Sequence, residues 1–123
     1  MSFLIVFLGS GLGACARHAV NLLARGATLP YGTFFINLTG SIMMGLVAGY
    51  LAHRGDGASA NLRLFLTTGL IGGYTTFSTF SLDAAVLIER DRSGAALAYI
   101  LASVGLGLAG LFAGMRLMRL VTM

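Results

Sequence analysis

The chain has 123 residues, 57% of them apolar and only 10% charged, against roughly a quarter charged in soluble domains, and its mean hydropathy of +0.89 puts it in lipid. A spanning helix takes about 20 residues, so four helices and short connections use up the length and leave no room for a separate catalytic module. The net charge of +4 comes from arginines scattered between apolar spans, without the patch or stripe that nucleic acid requires, and a single cysteine, Cys15, excludes an internal disulfide and any CxxC metal or redox pair.

The first span runs from about Phe3 to Ala24. Leu12-Gly13-Ala14-Cys15 loosely resembles a lipoprotein box, but residues 1 to 16 carry no Lys or Arg and so lack the positive region of a signal peptide. The expectation is a retained helix with Cys15 as a small buried packing residue. Arg17, near the far end, either draws anions into a vestibule or snorkels to the headgroups.

The second span, Tyr31 to Ala52, places Thr33, Asn37 and Ser41 at i, i+4 and i+8, one stripe on one helical face. Polar groups in hydrocarbon must be satisfied, so such residues are candidates for function. The two N–H donors of the Asn37 amide suit an anion or an interhelical hydrogen bond equally well.

The third span, Leu64 to Ile88, contains GGYTTFSTFS at residues 72 to 81. Gly72 and Gly73 weaken a helix, and the Thr and Ser side chains that follow can bond backbone groups in place of the helical ladder. A break near mid-membrane, led by the glycines, is expected. Non-helical backbone at that depth is tolerated only inside protein or beside a water-filled cavity, and freed carbonyls suit a hard cation that prefers oxygen. Phe77 and Phe80 share a face at i, i+3; they are either core packing or, ring edges being positive, the lining of an anion path. Asp83 follows within the span, where an acid at the helix centre costs about 2.5 to 3.5 kcal/mol, so it needs a partner or an aqueous end.

The fourth span, Ala95 to Met115, repeats the i, i+4 spacing with Tyr99, Ser103 and Gly107. Gly9/Gly13, Gly45/Gly49, Gly69/Gly73 and Gly110/Gly114 all have Gly-x-x-x-Gly spacing, which lets helices in lipid approach closely. Arg54, Arg63, Arg116 and Arg119 fall on one side of a four-helix hairpin, and Arg17, Arg25, Arg90 and Arg92 on the other. An even partition gives the positive-inside rule no purchase. The chain is therefore expected to insert in both orientations and to pair as an antiparallel two-fold dimer, unless the balance is accidental.

The motif from Gly72 to Ser81, the asparagine within Gly32 to Ser41, the Gly-x-Gly-x-x-x-Arg from Gly11 to Arg17 and the four-span length together resemble the Fluc (CrcB) fluoride channels over essentially the whole chain. The resemblance implies an all-α membrane protein with a broken third helix, forming an antiparallel dual-topology homodimer in the bacterial inner membrane. It implies two fluoride pores and a structural sodium ion held by the backbone carbonyls of Gly72 and Thr75 from both subunits. With no intramembrane acid but Asp83 for proton coupling, passive flow is expected, and with the inside negative such a channel would export fluoride and relieve its toxicity. Phe77 and Phe80 would place their rings at the pores, Asn37 would offer its amide, and Ser78 and Thr79 would supply hydroxyls. Tyr99 and Ser103 would line the pore from the fourth span, with Arg17 in a vestibule. Asp83 and Gly107 depart from the pattern: the first stands in place of a glutamate, and the second removes a hydroxyl one turn after Ser103.

Two other readings compete. A small multidrug exporter also has four spans, but cation export needs an acid in the first span, where this chain has Arg17. A structural subunit would use the polar stripes only as helix glue. An enzyme is not supported, because two isolated histidines and four acids supply no set of nucleophile, base and metal.

Overall fold

The computed structural model describes Met1 to Met123 and is helical throughout. Helices α1 (Ser2–Leu23) and α2 (Tyr31–Arg54) are joined by a short loop, and a 3-10 turn (Gly55–Gly57) follows. Next come α3 (Ala60–Leu64), a π-helical stretch (Phe65–Ile71) and α4 (Gly72–Tyr74), which run on without interruption as one arm, residues 60 to 74. After a two-residue break, α5 (Phe77–Glu89) and α6 (Ser93–Thr122) complete the chain. Three helices, α1, α2 with its 3-10 turn, and α6, are each long and apolar enough to cross a membrane. The fourth apolar segment is divided between the arm and α5.

The helix ends are set by local chemistry. Ser59 caps α3 by accepting from the Leu62 N–H at 3.0 Å, and Thr76 caps α5 by accepting from the Thr79 N–H at 3.2 Å; each satisfies a donor that the first helical turn leaves free. At the other end of α5 the chain turns through Asp91 at φ 57°, and Arg92 donates to the Thr28 carbonyl at 3.3 Å, tying the two connections on that side together. The first, second and fourth sequence-derived spans match α1, α2 and α6 within a few residues, except that α6 continues to Thr122, a full two turns beyond Met115; the third, Leu64 to Ile88, corresponds to no single helix of spanning length.

Glycine seams hold the bundle. Gly9 and Gly13 of α1 face Gly69 and Gly73 of the arm: a Cβ added at Gly9 would stand 2.9 Å from the Gly69 Cα, and one at Gly13 would run into the Leu70 carbonyl. The second seam joins α2 to α6. A Cβ on Gly45 would strike the Leu111 carbonyl, and one on Gly114 would stand 2.9 Å from the Leu46 nitrogen. Such backbone proximity gains dispersion contacts that bulkier residues would forbid.

Only 18 of 123 residues are buried, so the outer surface must be apolar for another reason than a water-excluded core. Phe3, Leu23, Phe112 and Val121 all project outward, as lipid or a second protein surface demands. Cys15 lies on this exposed side of α1, not in the packed interior expected for it; the inner face of that turn is taken by Gly13.

The expected helix break is present but displaced. Gly72 and Gly73 stay helical, with Gly72 at φ −61° and ψ −36°, and the chain leaves the helix at Thr75 (φ −79°, ψ 158°) and Thr76 (φ −150°, ψ 114°). Gly73 is needed for close approach instead, since a Cβ there would stand 2.7 Å from the Ser10 Cα.

Candidate functional site

The break is held open from α2. Thr76 N–H donates to Asn37 Oδ1 at 2.9 Å, and Asn37 Nδ2 donates to the Thr76 carbonyl at 3.0 Å. The side-chain amide thus replaces one rung of backbone pairing. In an unbroken helix the Thr76 N–H would have closed on the Gly72 carbonyl; here that donor is spent on Asn37. A second tie lies beside it, where Thr39 Oγ1 and Tyr74 Oη are 2.9 Å apart. Thr75 returns its own hydroxyl to the Ile71 carbonyl at 3.0 Å, so the hydroxyl-rich stretch does re-satisfy the backbone around the break.

An open cleft of about 430 Å³ lies alongside, between α2, the break and α6. Asn37 and Ser41 line it from α2, Thr75, Thr76, Phe77 and Phe80 from the break and α5, and Ser103 and Gly107 from α6. No ionisable side chain lines it. The Phe77 and Phe80 rings are 5.6 Å apart, tilted at 48°, and Phe77 is 80% exposed, so this pair is not simply core packing. Ser103 Oγ is buried with no hydrogen-bond partner, an uncommon state for a buried hydroxyl.

Of the residues singled out from the sequence, Asn37, Phe77, Phe80, Ser103 and Thr75 meet at this cleft. Tyr99 stands just behind, its ring 5.3 Å from Phe80 and its hydroxyl donating to Asp83 Oδ2 at 3.2 Å; the acid in the third segment therefore has its partner. Ser78 and Thr79 are set aside from the cleft, clustered on the Thr76 hydroxyl at 3.4 and 3.1 Å. Gly72 is exposed on the arm. Arg17 reaches across from α1, with Nη1 3.5 Å from the Thr75 carbonyl oxygen, at the outer limit of a hydrogen bond. No three His, Cys, Asp or Glu side chains converge anywhere.

Ser41, read from the sequence as part of the α2 polar stripe with Asn37, does line the cleft, although no role at a pore was assigned to it. The part played by Thr76 could not have been found, because its partner is 39 residues away.

The model of the family described as "CrcB-like protein, Camphor Resistance (CrcB)" matches residues 4–115. The chain is 57% identical over 125 residues to "Fluoride-specific ion channel FluC" of Rhodopseudomonas palustris (strain BisB5), covering 99% of this chain and 100% of the relative. It is 55% identical over 125 residues to "Fluoride-specific ion channel FluC 2" of Nitrobacter hamburgensis, with the same coverage. It is 50% identical over 119 residues to the protein of the first name from Rhizobium meliloti, covering 94% of each chain.

Proposed function

The chain belongs to the CrcB-like protein family, and from that premise we propose that it is a fluoride-specific ion channel, a multi-pass protein of the bacterial inner membrane and not an enzyme. The observation that carries this reading is the cleft: two tilted phenylalanine rings, the Asn37 amide and the unpartnered Ser103 hydroxyl, with no charged side chain lining it. A small, strongly hydrated anion gives up its water only to close donors, and neutral N–H and O–H groups with positive ring edges supply them. A full positive charge would hold the ion too long, because conduction needs sites that are easy to enter and to leave. The same neutral lining disfavours a cation exporter, which needs an acid in the transport path.

In this reading the arm and α5 together make a fourth crossing. Laid end to end, residues 60 to 74 and 77 to 89 measure on the order of 40 Å at helical rise, enough for a hydrocarbon core of about 30 Å. Two copies pair antiparallel, supported by the even partition of arginines and by a cleft that is open along one side. Flow is passive: Asp83, the acid in the third segment, is engaged by Tyr99.

A structural sodium ion fits the donor chemistry at the break. Gly72 has lost its helical donor to Asn37 and Thr75 faces only a long contact from Arg17, so two neutral carbonyl oxygens per chain, and four about a two-fold axis, would form a hard-cation cage. The ion would neutralise the converging carbonyl dipoles where two copies meet. Ser78 and Thr79, grouped on Thr76, would then stiffen the start of α5 beneath the phenylalanines, and Arg17 would lend positive potential to the approach.

Fluoride efflux from liposomes, read with an electrode after adding a potassium ionophore, tests the reading. Rapid fluoride loss without chloride loss is expected. Protein that is folded and dimeric in sodium yet releases no fluoride would favour a structural role.

A further inference from the structure

Several hydroxyls of this chain satisfy themselves on their own backbone. Thr39, Thr67, Thr75, Ser81 and Thr122 each donate to the carbonyl four residues back, at distances from 2.7 to 3.0 Å, the usual way for a hydroxyl on an apolar helix to do so. Of the hydroxyls that line the cleft, Ser41 and Ser103 make no such bond. Ser103 Oγ is buried and has no partner at all, and Ser41 Oγ takes no carbonyl of α2. Both line the cleft.

They stand on opposite walls. One turn beyond Ser103, where α6 could offer a second side chain to the cleft, it offers Gly107. A Cβ built on Gly107 would lie 3.6 Å from Ser41 Oγ, so the α2 hydroxyl points at the place a side chain from α6 would occupy. Asn37, one turn before Ser41 on the same face, spends one amide N–H on Thr76 and keeps the other.

We propose that Ser41 is a fluoride-contacting residue: its hydroxyl continues on the α2 wall the donor line that Ser103 begins on the α6 wall, and Gly107 leaves the room for it. The inference rests on the fluoride-channel reading. It also assigns a path along the cleft, from the phenylalanine pair past Ser103 to Ser41, with the donor changing helix part-way.

The prediction is a hydroxyl that can be moved across the cleft. Fluoride efflux would be measured for wild type, Ser41→Ala, Ser41→Ala with Gly107→Ser, and Ser41→Ala with Gly107→Ala. Losing one hydrogen bond to an ion should slow efflux about tenfold in Ser41→Ala. Adding Gly107→Ser should return the rate to within about threefold of wild type, as a hydroxyl on the facing wall restores the donor. Gly107→Ala, which fills the same space without a donor, should not restore it. Ser41→Ala at the wild-type rate, or equal rates for the two double variants, would overturn the assignment while leaving the channel intact. Wild-type protein that passes no fluoride would overturn the channel reading and this inference with it.

Discussion

Asn37 and Thr76 hold each other by both ends, amide oxygen to peptide N–H at 2.9 Å and amide nitrogen to peptide carbonyl at 3.0 Å. This is the contact that ends the arm and starts α5. Substituting Asn37→Ala leaves a donor and an acceptor of Thr76 without partners; Asn37→Asp keeps the acceptor but brings a charge and loses the donor. Each should cost about 1 to 3 kcal/mol of stability, visible as a lowered unfolding midpoint in detergent, and each should slow fluoride efflux more than tenfold. Wild-type stability in Asn37→Ala would show that the amide does not hold the break.

The two phenylalanines should separate stability from conduction. Phe77 is 80% exposed, so Phe77→Ile should leave the unfolding midpoint almost unchanged while fluoride efflux falls at least tenfold. Phe80 also stacks on Tyr99 at 5.3 Å; Phe80→Ile should lose about 0.5 to 1.5 kcal/mol of aromatic contact in addition to the flux. Unchanged efflux in both would return the pair to the role of packing.

Tyr99 and Asp83 are expected to behave as one unit. Tyr99→Phe removes the hydroxyl that Asp83 receives at 3.2 Å, exposing an unpaired carboxylate beside the anion path, and efflux should fall about tenfold. Adding Asp83→Asn removes that charge and should recover most of the loss. Simple additivity of the two substitutions would mean that the pair is not coupled. Flux that tracks an imposed proton gradient in wild type and in Asp83→Asn alike would contradict passive flow.

Sodium should be required for pairing, not for transport. Replacing it with a large organic cation is expected to lower the unfolding midpoint and the dimer fraction, since a ligand that binds only the folded state stabilises it in proportion to its occupancy. Arg17 lies 3.5 Å from the Thr75 carbonyl oxygen and would compete with a cation held there, so Arg17→Gln should reach half-maximal stabilisation at lower sodium. A midpoint indifferent to sodium in both proteins would remove the ion from the account.

The glycine seams predict sharp positional contrast. Gly73→Ala would drive a methyl group into the Ser10 backbone and should cost about 1 to 3 kcal/mol, as overpacking does. Gly94→Ala, which meets nothing within 4 Å, should be neutral or slightly stabilising in the first turn of α6. Thermal unfolding of the two variants in the same detergent compares them directly.

The apolar segments, the polar stripe of α2 and the phenylalanine pair were legible because each depends on spacing within one helix. The position of the break was not. Glycine propensity pointed to Gly72 and Gly73, whereas the departure occurs at Thr75 and Thr76, because a side chain 39 residues upstream offers Thr76 what the helix would have offered. The role of the Gly-x-x-x-Gly pairs was half legible: close approach followed from composition, but which helices approach, α1 with the arm and α2 with α6, depended on tertiary packing. The partner of Asp83 was hidden for the same reason, lying 16 residues downstream on a separate helix.

The π-helical stretch from Phe65 to Ile71 makes the length of the arm as consequential as its composition. Wide turns of this kind carry a residue more per turn than the α-helix. Deleting one residue there and letting the stretch tighten to α-helical turns would remove the surplus, so the faces that follow would turn little. Gly73 would keep its place against Ser10, and Thr76 its approach to Asn37. A second deletion, with no surplus left to absorb it, would swing everything after it by roughly 100° and dismantle both the seam and the break, so this part of the gene should tolerate the loss of one codon and not of two.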